Sequence, residues 1–378
     1  MELIDRYIKK LIEGSTPDQP LWNIEAIHQG KAPAWNYVDG CMMTALLSLY
    51  DQTKDETYYE FVKRFIDYYV KADGKMLGYD MKTFNLDDIC ESRVLFDLYD
   101  KTQDEKYLKA INQTYIHILR QPRTKEGSFW HKLIYPHQVW LDGLFMAQPF
   151  YTRYETRFNH QKNYQDIINH FKVVRAHMFN PSKQLYYHGY DASKTVFWAD
   201  KQTGLSKNFW LRATGWYVVS LVDVIDYLDP KCPERNNFFY PLLKECVDGL
   251  LQYQDPSSKL FYQVIDQKDI KGNYLESSGS SLLAYAILKG VRLGALDISY
   301  QGRGIDIFEG IVKTYISDNK GDLNMDGICL VAGLGPDHNL RRDGSVEYYL
   351  SEPIVSNDAK GVGPFILAYT EYKKTSRG

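Results

Sequence analysis

Cysteine is scarce in this sequence, and its placement excludes two kinds of site. The 378 residues include five cysteines, which stand far apart and form no Cys-x-x-Cys motif: Cys41, Cys90, Cys232, Cys246 and Cys329. An odd number at such spacings predicts neither a disulfide framework nor a zinc site. The nine histidines also lack the paired spacing of metal ligands, so we expect the protein to use no metal and no cofactor.

An excess of one charge and a long apolar run are both missing. The 45 basic residues nearly balance the 48 acidic ones, which excludes a strong field for nucleic acid or for an anionic membrane surface. No stretch approaches the roughly 20 apolar residues of a membrane-spanning helix. The opening MELIDRYIKKLIEG is amphipathic, unlike the continuous apolar segment of a secretory signal. We predict a cytoplasmic protein without nucleic-acid or membrane partners, and no feature assigns an oligomeric state.

Two suggestive loops lack the context that their chemistry needs. DLNMDG at 322–327 begins like a calcium loop, but Gly333 stands where an EF-hand has its bidentate glutamate. GLGPDHNLRRDG at 333–344 lacks the strand–loop–helix setting of a phosphate site. We therefore expect Arg341 and Arg342 to be a solvated pair.

Aromatic residues are abundant, at 15% of the chain, with 31 tyrosines and seven tryptophans. Sugar-binding sites and helical cores both use such side chains, so composition leaves both explanations open.

An internal repeat is more informative than the composition. Residues 49–70 (LYDQTKDETYYEFVKRFIDYYV) align without a gap with residues 98–119 (LYDKTQDEKYLKAINQTYIHIL), and looser copies follow. Each copy has a helix ending, a polar turn and a second helix beginning.

Helical periodicity divides the chain into two alternating sets of six segments. One set is rich in small and apolar residues and covers 40–51, 88–101, 142–156, 212–228, 279–293 and 361–373. The other is amphipathic and covers 2–13, 56–72, 105–120, 163–177, 237–252 and 303–317. An inner and an outer ring of helices satisfy both patterns. The sequence therefore predicts an all-α (α/α)6 toroid that forms a single domain over residues 1–378.

In such a toroid, the N-termini of the inner helices gather at one end of the ring. The long connections 121–141, 178–211 and 318–360 lead into that end, where we expect a pocket. Aspartates and serines stand at most of these helix starts. They could simply cap the helices, which would explain each one alone but not the aromatic residues between them.

The segment FWHKLIYPHQVWLDGLFMAQPF at 129–150 holds the richest chemistry. Asp142 follows Trp140 at a helix start, where a carboxyl is normally held as the anion. To act as a general acid it needs a raised pKa, from apolar neighbours such as Trp140 and Phe145 or from a second carboxylate, Asp87 or Asp88.

Four motifs, in this order, resemble glycoside hydrolase family 105, the unsaturated rhamnogalacturonyl hydrolases. They are NLDD at 85–88, WLDG at 140–143 with the preceding His-x-x-x-Tyr-Pro, WLRATGW at 210–216 and VSNDAKGVGPFILA at 355–368. The resemblance runs from about Trp35 to Tyr372. It implies removal of a 4,5-unsaturated uronic acid from the non-reducing end of pectin oligosaccharides made by a lyase, through hydration of the C4=C5 vinyl ether. The implied partner is thus a small unsaturated uronyl oligosaccharide.

The resemblance also implies roles for single residues. Asp142 matches the proton donor and base, and Asp87 matches the second carboxylate. The residues implied to contact the sugar are His131, Trp140, His188, Arg212, Trp216 and, as a less favoured choice than Asp87, Asp88. A guanidinium suits a uronate carboxylate, so we expect Arg212 to bind it. Ala213 departs from the family, in which glycine commonly follows this arginine.

Three functions remain open from the sequence. The first is the hydrolase just described, acting on rhamnogalacturonan or, as a glucuronyl hydrolase, on ulvan or other uronides. The second is a conventional glycosidase or an epimerase on the same toroid. The third is a non-catalytic helical scaffold, which the histidine- and tryptophan-rich loops disfavour.

Overall fold

The computed structural model of the protein describes residues 2–375, and most of these are helical. The α-helices along the chain are α1 (Glu2–Glu13), α2 (Ile24–Gln29), α3 (Tyr37–Thr53), α4 (Glu56–Tyr69), α5 (Asp87–Cys90), α6 (Leu95–Thr102), α7 (Glu105–Arg120), α8 (Leu141–Phe158), α9 (Tyr164–Met178), α10 (Leu211–Tyr227), α11 (Tyr240–Leu251), α12 (Ser277–Arg292), α13 (Gln301–Tyr315), α14 (Val346–Ser351) and α15 (Ala359–Thr375).

The inner helices close into a ring. α3 packs against the segment that contains α5 and α6, this segment packs against α8, and the ring continues through α10, α12 and α15 back to α3. The outer helices are α1, α4, α7, α9, α11 and α13. The first outer helix completes the last pair, because the hydroxyl of Tyr369 on α15 donates to Asp5 on α1 at 2.8 Å. The predicted (α/α)6 toroid is confirmed.

The two rings bury their residues as the sequence pattern predicts. In α10 every residue from Leu211 to Ile225 is buried, whereas α4 buries only one face. Asp55 and Asp104 occupy equivalent positions of the 49-residue repeat and cap α4 and α7. Each carboxylate accepts a hydrogen bond from the backbone N–H two residues further on, at 3.0 Å. Such a cap stabilises a helix by about 1 kcal/mol.

One predicted inner helix is divided. Instead of a continuous helix over 88–101, the chain forms α5, a 3₁₀ turn at Glu91–Val94 and then α6. Here α3 comes very close, since a Cβ on Gly40 would lie 2.6 Å from the Cα of Glu91. The tighter turn and the glycine together allow the two backbones to meet.

Pro149 lies inside α8 without ending it. Proline has no N–H, so the carbonyl of Phe145, four residues earlier, loses its usual helical partner. That carbonyl instead accepts a hydrogen bond from Nη2 of Arg93 at 2.9 Å. Arg93, on a neighbouring inner segment, thus supplies the donor that the helix lacks at this carbonyl.

Short antiparallel strand pairs occupy the long connections. They are β1 (Gln138–Trp140) with β4 (Gly189–Asp191), β2 (Phe179–Asn180) with β3 (Leu185–Tyr186), β5 (Ile316–Asn319) with β6 (Asp322–Met325), and β7 (Ile328–Cys329) with β8 (Ile354–Val355). The DLNMDG segment therefore contributes a strand, β6. Within residues 2–375, no helix has the length and apolar character needed to cross a membrane.

Candidate active site

Asp142 stands in the first turn of α8 but does not cap it. The residue at the cap position is Trp140, and no side chain there accepts a hydrogen bond from the helix. Asp87 has a similar place in α5, which follows Leu86 without a side-chain cap. Capping therefore does not account for either aspartate, although it does account for Asn36 before α3.

The β1–β4 pair brings His188 beside Asp142. Trp140 pairs with Gly189, and the N–H of Leu141 donates to the carbonyl of His188 at 3.1 Å. A Cβ on Gly189 would lie 2.3 Å from Cδ1 of Leu334, so a larger residue here would force that side chain to shift. A two-strand ladder thus fixes the start of α8 next to a residue from the following connection.

His188 and Asp142 form a buried contact. Nε2 of His188 lies 3.1 Å from Oδ2 of Asp142, off the line of a hydrogen bond, and neither atom has another partner among residues 2–375. Nδ1 of His188 shares a hydrogen bond of 2.7 Å with the hydroxyl of Tyr349. Burial lowers the pKa of His188, and the charge of Asp142 only partly opposes this. The imidazole is therefore neutral at neutral pH.

Asp87 sits between two basic side chains. Its Oδ2 lies 2.6 Å from Nζ of Lys132, and its Oδ1 lies 3.3 Å from Nε2 of His131. Burial raises the pKa of Asp87, but Lys132 and then His131 outweigh it and hold this pKa well below the ordinary range. Asp87 is thus a stable anion whose charge is compensated locally.

Asp88 behaves in the opposite way. Its Oδ1 accepts a hydrogen bond from Nδ2 of Asn85 at 2.9 Å. Burial, and next the neighbouring charge of Asp87, raise the pKa of Asp88 to about 7. Adjacent residues of one motif therefore differ in protonation near neutral pH.

Aromatic rings form a wall beside Asp142. The ring of Trp140 stacks on His131 with centroids 4.3 Å apart and on Tyr135 with centroids 4.7 Å apart. Gly143 allows this packing, because a Cβ there would lie 3.1 Å from Nδ1 of His131. The glycine of the WLDG motif thus has a steric purpose.

A cavity of about 570 Å³ opens next to this cluster. Asp87 and Asp88 are part of its wall, together with Asn36, Tyr37 and the segment 14–34. A cavity of this size lies in the usual range for small-molecule sites. Asp87 links the cavity to His131, which stacks on Trp140. Both of these rings lie behind the wall of the cavity.

Arg212 and Trp216 are more deeply buried than residues that contact a sugar need to be. The guanidinium of Arg212 donates to the carbonyls of Cys329 and Leu330, and only 1% of the residue is exposed. Trp216 is 2% exposed and stacks on Phe145, with ring centroids 4.2 Å apart. Arg212 still borders the cluster, because it lies over Trp210, whose ring contacts that of His188.

Sequence reasoning missed three residues of this cluster: Lys132, Tyr349 and Arg342. Lys132 follows His131 directly, and a basic residue beside a predicted binding histidine was an available signal. Tyr349 and Arg342 lie in the connection 318–360 and carry no motif of their own. The expectation of a solvated pair is wrong for Arg342, which is half-buried against Trp140 and Tyr135.

Known proteins of the same architecture match the chain over almost its whole length. The family model described as Glycosyl Hydrolase Family 88 matches residues 8–376. The solved structure of a family 105 glycoside hydrolase from C. acetobutylicum ATCC 824 is 41% identical, with a TM-score of 0.89 over 98% of this chain and 99% of that one.

Two curated bacterial proteins are also similar. Protein Atu3128 of Agrobacterium fabrum is 35% identical over 233 residues, which are 60% of this chain and 97% of that protein. The unsaturated rhamnogalacturonyl hydrolase YesR of Bacillus subtilis is 24% identical over 266 residues, 69% of this chain and 72% of that protein. Fold and similarity together define a glycoside hydrolase. The chain belongs to the group formed by glycoside hydrolase families 88 and 105.

Proposed function

We propose that this glycoside hydrolase removes the 4,5-unsaturated uronic acid from the non-reducing end of rhamnogalacturonan oligosaccharides. The observation that carries the proposal is the contact of Asp142 with a neutral histidine, His188. A conventional glycosidase uses two free carboxylates across the scissile bond. Here Asp142 faces an imidazole, and Lys132 compensates the other carboxylate, Asp87. The name of the Bacillus subtilis relative supports the choice of substrate.

In the proposed reaction, one carboxyl group transfers a proton twice. Asp142 protonates C4, and the electrons of the C4=C5 bond form the new C4–H bond. Positive charge develops at C5 and is shared by the ring oxygen. Water then bonds to C5 and gives its proton to the Asp142 carboxylate. The resulting hemiketal opens by breaking the bond from C5 to the ring oxygen, and C1, now a hemiacetal, releases the aglycone sugar.

His188 is suited to support both forms of Asp142. With a proton on Nδ1, its Nε2 can accept a hydrogen bond from the acid form, while Nδ1–H donates to Tyr349. With a proton on Nε2, it can donate to the carboxylate, while Tyr349 donates to Nδ1. The unpartnered Oδ2 of Asp142 and Nε2 of His188 are the atoms that this exchange needs.

Asp87 has an electrostatic role in this proposal. Lys132 offsets part of its charge, but Asp87 stays an anion beside the cavity and so favours the positive charge that develops at C5 and the ring oxygen. His131 and Trp140 lie behind Asp87 and support it from the side away from the cavity. Asp88 also lines the cavity and is available to form a hydrogen bond with the sugar.

A panel of lyase-generated disaccharides tests the proposal. The vinyl ether is conjugated to the carboxylate and absorbs in the near ultraviolet, so its hydration abolishes that absorbance. We expect the absorbance of unsaturated uronyl-rhamnose to be lost. The saturated disaccharide should not be cleaved, as judged by sugar release. Turnover of the saturated disaccharide at an equal rate would mean that the protein is an ordinary glycosidase.

The same panel tests the aglycone. Disaccharides that carry the same unsaturated uronic acid on rhamnose, galactose or glucosamine, together with ulvan fragments, are compared by kcat/KM. The proposal expects rhamnose to be preferred. Preference for an ulvan fragment would assign the protein as a glucuronyl hydrolase of the same reaction class.

A further inference from the structure

Two neighbouring arginines of the connection 318–360 have different surroundings. Arg341 is 55% exposed at its side chain, and its Nη1 lies 2.8 Å from a carboxylate oxygen of Glu352. Arg342 turns toward the aromatic wall, where its guanidinium lies 6.0 Å from the ring centroid of Trp140. Identical side chains, adjacent in sequence, therefore face solvent and site respectively.

The guanidinium of Arg342 lacks a counter-ion. Its Nη1 donates to the hydroxyl of Tyr135 and its Nε donates to the carbonyl of Gly333, both at 3.3 Å. These partners are neutral, and no carboxylate within residues 2–375 lies within ion-pair distance of Arg342. Burying a cation without an anion is costly, so a half-buried guanidinium is usually found with one.

The backbone leaves space for this guanidinium. A Cβ on Gly333 would lie 1.8 Å from Nη2 of Arg342 and 3.2 Å from Cζ3 of Trp140. Any side chain at position 333 would therefore displace Arg342 from the wall. Gly333 has no positive φ, so the close approach, rather than backbone conformation, requires glycine here.

The positive charge of Arg342 also reaches the proposed catalytic pair. It is one of the charges that lower the pKa of His188, after burial, and it acts on Tyr349, the hydrogen-bond partner of that histidine. Other basic groups nearby are already engaged. Lys132 pairs with Asp87, and Arg212 donates to two backbone carbonyls.

We infer that Arg342 binds the carboxylate of the substrate's unsaturated uronic acid and that Gly333 holds open its place against Trp140. A guanidinium offers two parallel N–H donors to a carboxylate, which fixes the plane of the conjugated acid as well as its position. This inference rests on the proposed function. It differs from the sequence-based expectation, which assigned the carboxylate to Arg212.

The test compares Arg342→Gln with Arg341→Gln on two substrates, the unsaturated uronyl-rhamnose and its methyl ester. Arg342→Gln should raise KM for the free acid roughly ten- to hundredfold, the usual worth of a charge-assisted hydrogen bond. It should leave KM for the ester nearly unchanged, because the ester carries no charge. Arg341→Gln should behave as the wild type on both.

A second variant reaches the same group from the backbone. Gly333→Ala should displace the guanidinium and reproduce the KM increase for the free acid without changing residue 342. Equal losses on acid and ester with Arg342→Gln would overturn the inference and leave Arg342 as a brace for its loop.

Equilibrium binding separates this inference from the proposed function. Tryptophan fluorescence can follow binding of the acid and the ester to wild-type and Arg342→Gln protein in the absence of turnover. If the wild type binds the acid through Arg342 but does not hydrate it, the proposed function fails and the inference holds. If binding is the same in both proteins, the inference fails whatever the activity.

Discussion

Nε2 of His188 lies 3.1 Å from Oδ2 of Asp142, although Asp142 belongs to the inner helix α8 and His188 to the connection 178–211. The β1–β4 pair sets this distance, and Tyr349 fixes the other side of the imidazole. A carboxyl group that donates a proton and later accepts one needs a neutral neighbour. That neighbour must accept a hydrogen bond from the acid form and donate one to the carboxylate.

Asp142→Asn should reduce kcat by about 10²–10⁴-fold or more, since one group serves as acid and as base. The amide is nearly isosteric, so α8 should begin as before. Loss of near-ultraviolet substrate absorbance measures kcat, and circular dichroism with a thermal melt checks the fold. Retention of a tenth of the wild-type rate by a folded variant would remove Asp142 from the proposed mechanism.

Tyr349→Phe should lower kcat roughly three- to tenfold with little change in KM, because it removes the hydrogen bond that orients His188. A matched control is Tyr154→Phe, whose hydroxyl bonds to Asn112 away from this cluster. The variant should also alter the pH profile of kcat, because the imidazole loses the partner of its Nδ1. An unchanged profile and rate would mean that Tyr349 only packs against Trp210.

Lys132→Met should destabilise the protein at pH 7 by about 1–3 kcal/mol, since it leaves the carboxylate of Asp87 without its closest cation. The folded pKa of Asp87 is lowered, so the ion pair stabilises the protein above the unfolded pKa, and this contribution is lost as pH falls through the folded value.

Urea titrations of wild type and Lys132→Met at several pH values measure this difference. The gap in unfolding free energy should shrink below about pH 4. Lys75→Met provides the control, because its pair with Asp73 is exposed on both sides. A gap that stays constant with pH would show that Lys132 contributes through packing alone.

Asp88→Asn should change the pH dependence of stability. The folded pKa of Asp88 is about 7, above the roughly 3.9 of an unfolded aspartate. The folded state therefore holds more protons between those values, and its stability falls as pH rises through that window, by up to about 1.4 kcal/mol per pH unit.

The asparagine variant cannot titrate, so its stability relative to wild type should rise from about pH 4 to 7 and then level off. Urea titrations across this range measure the difference between the two proteins. A difference that is flat with pH would mean that Asp88 is ionised throughout, as an ordinary surface carboxyl is.

Hydrolysis in heavy-oxygen water should label C5 of the uronyl product. Water adds to the former double bond in the proposed reaction, so mass spectrometry of the product's fragments should find the label there. The released aglycone should carry none. Label at the anomeric carbon instead would indicate ordinary glycoside hydrolysis, and Asp142 would then need a carboxylate partner across the scissile bond.

The sequence alone predicted the fold because helical periodicity is a local signal. The 49-residue repeat and the two alternating sets of helices are both visible in it. It also predicted Asp87, His131, Trp140, Asp142 and His188, which the structure brings into contact with one another through motifs that stand at helix and strand ends. The prediction of one continuous inner helix over 88–101 was wrong, because a 3₁₀ turn divides that segment.

Tertiary structure decided which charged groups meet. Arg341 and Arg342 are indistinguishable in the sequence, yet one pairs with Glu352 and the other lies against Trp140. Likewise, only the folded chain engages Arg212 with the carbonyls of Cys329 and Leu330 and pairs Lys132 with Asp87. Irregular connections have no periodicity, so contacts with distant residues fix their side chains. The sequence therefore determined the ring of helices, and the packing of the loops determined which charged side chains meet at the candidate active site.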